Sequence, residues 1–136
     1  MRYLQPSELI AFNRRLTEDP RIGDEGFGVN LGRLKEATER PQEPRGYDYD
    51  LYPTVHDKAA ALLDSLLQLH PFSSLNEATA VLGVYTFYRE NEHVLDVSDE
   101  QLLAYVEAER LPEGYASLAV WFGRHANPIA NDPSGA

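Results

Sequence analysis

The stretch Leu69-His70-Pro71-Phe72-Ser73-Ser74-Leu75-Asn76-Glu77-Ala78-Thr79-Ala80 interrupts two segments of helical periodicity. Upstream of it, Val55, Ala59, Leu62, Leu66 and Leu69 recur at the spacing of one helix face. Pro71 cannot continue that helix, because it lacks an N–H and its ring clashes with the preceding turn. Downstream, Ala78, Ala80, Val81, Leu82, Val84, Tyr85, Phe87 and Tyr88 leave no polar face before Arg89, the pattern of a buried helix. The stretch is thus a tight loop between two core helices. His70, a side chain that exchanges protons near neutral pH, stands at its start. The first turn of the second helix presents backbone N–H groups that suit an anion. One reading is a proton acceptor facing an anion cradle, although Glu77 and Ala78 stand where such a cradle favours small or basic residues. The plainer reading is a histidine that ends one helix and an asparagine, Asn76, that caps the next.

Working outward, Thr54 is a good N-cap and Asp57 gives it capping-box spacing, so a helix starts there and delivers His70 at its end. The segment 41–53 before it carries three prolines and Tyr47, Asp48, Tyr49, Asp50 and Tyr52. It reads as an ordered loop, either a plain cover for the core or a flap over a site, with Tyr47, Tyr49 and Asp50 as candidate target contacts. Near the N-terminus, Pro6 suits a first helical turn, and Leu9, Ile10, Phe12, Asn13 and Leu16 form a mostly apolar stripe. The glycines of the loop 21–28 imply unusual backbone angles or close approach. A second helix spans Val29 to Glu39, with Leu31, Leu34 and Ala37 or Thr38 inward, until Pro41 stops it.

Val94-Leu95-Asp96-Val97 is short enough for a small strand, paired with Tyr3-Leu4. Ser98 and Gln101 form a capping box for a further helix. Leu118, Ala119, Trp121 and Phe122 belong to a last one. The fold class expected is all-α: about six helices around a buried central helix, with at most a small two-stranded β element. Residues 1–125 form one domain and residues 126–136 a flexible tail.

Composition narrows the function. The chain has 136 residues and is 43% hydrophobic, enough for one domain with a real core. Its formal net charge of -10 argues against nucleic acid and anionic membrane as partners. It contains no cysteine, which excludes disulfides and thiolate metal sites. No apolar run is long enough to span a bilayer and no signal-peptide core is present, so the expected location is cytoplasmic. His56, His93 and His125 show no metal-ligand spacing on one helix, and no metal ligands are assigned.

Several segments, taken in order, resemble the Doc branch of the Fic/Doc family, the "death on curing" toxins. They are Tyr3-Leu4 with Pro6 and Ile10, Asp24-Glu25-Gly26, Arg40-Pro41-Gln42, Leu51-Tyr52-Pro53-Thr54 with Lys58 to Leu63, and His70-Pro71-Phe72. The similarity runs from Tyr3 to His125. The family motif reads His-x-Phe-x-Asp/Glu-Gly/Ala-Asn-Gly/Lys-Arg, and its members use ATP or a related nucleotide to modify a protein hydroxyl. The resemblance implies His70 as general base, Phe72 as the structural anchor of the loop, and Ser73, Ser74, Asn76 and Glu77 as the ligand-binding positions. It also implies an antitoxin or a target protein as partner.

This sequence departs from the motif at four positions. Ser74 replaces the acidic magnesium ligand, and a hydroxyl is a poor substitute for a carboxylate with a hard cation. Leu75 replaces Gly or Ala, while Glu77 and Ala78 replace Gly/Lys and Arg. The spacing of Ser74 and Glu77, or Asn76 alone, also predicts a side-chain cap that fills the anion site from within. Weak or absent nucleotide transfer, or a repurposed site, is the first expectation, with no cofactor assigned. The alternatives are an active toxin-like transferase using ATP with magnesium, and a partner-binding half of a toxin–antitoxin pair.

Overall fold

A computed structural model describes residues 1–22, 26–44, 49–108 and 115–129. Its elements in chain order are α1 (Pro6–Glu18), α2 (Leu31–Glu39), a 3-10 turn (Arg40–Gln42), α3 (Val55–Leu69), α4 (Asn76–Glu90), β1 (His93–Leu95), α5 (Asp99–Ala108), α6 (Tyr115–His125) and β2 (Ala126–Pro128). Among the described residues there are six helices and one two-stranded antiparallel sheet, and the protein is all-α.

The α3 helix is built as its sequence dictates. The Thr54 hydroxyl accepts from the Asp57 amide at 3.0 Å, and the Asp57 carboxylate accepts from the Thr54 amide at 3.1 Å. Ala59 to Leu63 and Leu66 are buried, so α3 hides most of its circumference against α2, α4 and α6. The α4 helix lies beside it and buries Ala80, Val81, Val84, Phe87 and Tyr88. Leu82 keeps 39% of its surface exposed, and Tyr85 is half-buried with its hydroxyl donating to Val97 O. The α1 helix crosses α4 at Gly83, where an added Cβ would stand 2.8 Å from Leu9 Cδ2.

Three expectations are corrected. The small strand β1 pairs with β2, His93 opposite Pro128 and Leu95 opposite Ala126, and not with Tyr3-Leu4. Residues 126–128 therefore belong to the folded body and not to a loose tail; the tail from 130 onward lies outside the described residues. Leu31, expected inward, is 61% exposed, because α2 starts there with Asn30 as its N-cap and turns Leu34, Ala37 and Thr38 to the core.

The sheet docks beside an aromatic cluster. His56 Nδ1 lies 2.9 Å from the Tyr88 hydroxyl, and its ring stands edge-on to His93 with centroids 6.0 Å apart. Burial lowers the His56 pKa below its usual 6.5, the neighbouring His93 charge lowers it further, and Asp57 opposes both. A depressed histidine pKa means that the unfolded chain takes the proton first. His56 thus contributes stability above pH 6.5 that is lost as pH falls through the folded value. Thermal unfolding of wild type and His56→Gln between pH 7.5 and 5 should show a shallower acid-side decline for the variant. Parallel curves would assign the decline to other groups.

Candidate functional site

His70 is the C-cap of α3. Its backbone is left-handed (φ 47°) and its amide donates to Leu66 O at 3.3 Å, while its side chain is exposed. That turn sends Pro71 to Ser73 along a neighbouring segment. The Asn30 amide donates to Pro71 O at 2.7 Å, the Ser73 amide donates to Gly28 O at 2.9 Å, and Val29 forms an antiparallel bridge with Phe72. Sequence reading missed this pairing, since it placed Val29 in a helix. The glycine at 28 was its one legible sign: a Cβ there would stand 2.1 Å from Ser73 Oγ and 3.2 Å from Ser73 Cβ, so a larger residue would force the serine hydroxyl to turn away.

Phe72 is buried and packs on Phe27, with centroids 6.4 Å apart, over which Arg14 lies at 4.1 Å from the ring centre. On the α3 side, the Arg33 guanidinium reaches Leu69 O at 3.5 Å, a long contact one residue before His70.

Asn76 closes the loop. Its Oδ1 accepts from the Phe72 amide at 2.9 Å and its Nδ2 donates to Phe72 O at 2.8 Å. Both ends of the carboxamide are used on one residue, which fixes the turn between the histidine and α4. The capping expectation is overturned at this point. The N-cap of α4 is Leu75, in the left-handed region (φ 58°), and no side chain caps the turn. Asn76 is the first helical residue, and its side chain reaches back to Phe72 and not forward along α4.

The other sequence-predicted residues divide into two groups. Ser73, Ser74, Asn76 and Glu77 join His70 and Phe72 in one loop, with Ser73 and Glu77 exposed and Glu77 in the first turn of α4. Tyr49 and Asp50 belong to a different loop, and Tyr47 lies outside the described residues, as do Asp24 and Glu25. Asp50 is held by the buried Lys58 ammonium at 2.9 and 3.0 Å, and Lys58 also donates to Pro41 O at 3.2 Å. The hydrogen bond from Lys58 holds the Asp50 carboxyl below its usual pKa. Lys58 lies twelve residues before His70, about 18 Å along α3 at the usual helical rise. A second cation anchors the same loop: Arg40 donates to the Tyr52 hydroxyl at 2.8 Å and to Asp64 at 2.7 Å.

The residues of the loop can be compared with what magnesium triphosphate asks of a site. Ser74 offers a neutral hydroxyl, 3.5 Å from Gly26 O, where a hard cation wants a carboxylate. Among the described residues no group of three or more His, Asp or Glu side chains is placed to hold a metal ion. Glu77 brings negative charge to the helix end that would attract a phosphate.

The structure is thus a helical protein whose two core helices are joined by a histidine-bearing turn, with an asparagine folded back on the phenylalanine. A sequence model of the Fic/DOC family matches residues 3–88, and the chain belongs to that family. It is also similar to the Toxin Doc of Mycolicibacterium smegmatis (strain ATCC 700084 / mc(2)155), at 40% identity over 74 residues. That match covers 51% of this chain and 56% of the relative, so the chain spans about half the length of the curated protein it matches. Among the described residues no helix is long and apolar enough to cross a membrane.

The clasp makes a prediction that separates it from a cap. Ser and Asn serve almost equally as N-caps, but serine cannot bridge both polar groups of Phe72. Asn76→Ser and Asn76→Ala should therefore each lower stability in urea unfolding by about 1–2 kcal/mol. A neutral Asn76→Ser would restore the capping role.

Proposed function

We propose that this protein is a Doc-like member of the Fic/DOC family that keeps the histidine-bearing loop but has given up the grip on magnesium triphosphate. It works by holding a different ligand, neutral or cationic, or a protein partner at that loop. One observation carries the reading. The Asn76 clasp that shapes the loop is in place, while Ser74, Leu75, Glu77 and Ala78 occupy the positions that the family motif devotes to metal and phosphate. Shape and grip have been separated. Removing a single preorganised contact to a developing charge costs about 10²–10³ in rate, so replacing several leaves little ordinary transfer. The net charge of -10 adds to the repulsion of a polyanion.

The named relative is a toxin, and a toxin-like role is carried over from it as part of this reading, with an antitoxin as the protein partner. The cytoplasm is the compartment assigned.

A second reading has its own support. The N-cap residue Leu75 makes no side-chain cap bond and His70 is exposed, which favours an active transferase with His70 as general base and phosphate contacts drawn from outside the motif. Titration calorimetry with ATP and magnesium, followed by incubation of radiolabelled ATP with cell lysate, separates the two. The first reading expects no micromolar binding and no labelled protein. Micromolar binding, with label transfer that disappears in His70→Ala, establishes the second.

A further inference from the structure

Asn13 occupies an inward position on the apolar stripe of α1, yet it is a polar side chain with no solvent exposure. A buried carboxamide is costly unless its hydrogen bonds are made. Its Nδ2 makes two, to Ser74 O at 2.9 Å and to Thr79 Oγ1 at 3.0 Å. Thr79 in turn donates its hydroxyl to Leu75 O at 2.7 Å and its amide to the same oxygen at 3.0 Å. Among the described residues Asn13 Oδ1 has no partner. An apolar residue of the same shape would avoid that unmet acceptor, so Asn13 is tolerated for what its NH2 group holds.

We propose that Asn13 is the positioning residue of the His70 loop, through which α1 sets the direction of two successive peptide groups. A trans peptide is planar, and its N–H points opposite to its C=O. With Ser74 O drawn onto Asn13 and Leu75 O drawn onto Thr79, the N–H groups of Leu75 and Asn76 face away from this buried pair. A left-handed residue followed by a helical one sets consecutive N–H groups side by side in a concave arrangement. The same two tethers hold Leu75 at φ 58° against the steric cost of that region for a side chain with Cβ. The direction of the loop amides is thus written in a helix more than sixty residues upstream of them. The inference deepens the reading of the loop as the working site, but the geometry itself is testable on the free protein without any nucleotide.

The test is amide hydrogen exchange by NMR on the full chain, comparing wild type with Asn13→Leu, Thr79→Val and Thr79→Ser. The probes are the Phe72 and Thr79 amides, bonded within the loop, and the Ser73 amide, bonded to Gly28 O, with the Asp96 and Ile129 amides that flank the sheet and bond to His125 O and Glu92 O as the distant reference. Loss of a tether should speed exchange at the loop probes by about tenfold and leave the reference unchanged. Thr79→Ser keeps the hydroxyl and should restore wild-type rates. If Asn13→Leu does not fold, Thr79→Val decides, because it removes both the acceptor of the Asn13 amide and the side-chain donor to Leu75. Unchanged loop rates in a folded variant would overturn the proposal. So would an equal acceleration at loop and sheet, or a Thr79→Ser variant that behaves like Thr79→Val.

Discussion

The carboxamide of Asn76 folded back onto both polar groups of Phe72 is the constraint on which the site depends. It turns the chain between two helices that are each fixed by the core. Its neighbours make sense only with it in place. His70 and Leu75 both sit in the left-handed region, one closing α3 and the other opening α4, and a non-glycine residue accepts that conformation only where its surroundings hold it there. The bridge from Val29 to Phe72 and the tight passage past Gly28 line the outer side of the turn, while Asn13 and Thr79 line the inner side.

On the function proposed above, the loop has changed its chemistry while keeping its form. The residues that shape it, Phe72, Asn76, Thr79 and Asn13, are buried or half-buried and bonded to backbone. The positions that differ from the family motif are Ser74, Leu75, Glu77 and Ala78, none of which is fully buried. Asp50 and Tyr52 are held apart from these positions, by Lys58 in the first turn of α3 and by Arg40 in the 3-10 turn.

The sequence made the helices legible wherever a local signal had a local cause. Thr54 with Asp57 and Ser98 with Gln101 form the capping boxes their spacing predicts. Pro71 ends the α3 pattern as its missing N–H requires. The misreadings of Val29 and of the strand partner share one origin, which is pairing across the chain. Asn76 has the identity and position of a cap, but the loop brings Phe72 within its reach and the carboxamide turns backward. Nothing in the sequence near His93 names 126–128 as its strand partner. Asn13 looked like a polar interruption of an apolar stripe, since its bonding partners lie on a helix that sequence spacing cannot place.

The most direct test restores the grip and leaves the shape alone. A single chain carrying Ser74→Asp, Leu75→Gly, Glu77→Lys and Ala78→Arg should be titrated with ATP and magnesium beside wild type. The account predicts binding by the restored chain at least about a hundredfold tighter than by wild type, on the scale of about 3 kcal/mol. Equal affinity in the two chains would contradict it, because the loop would then never have lost its hold or would no longer have the form to regain it.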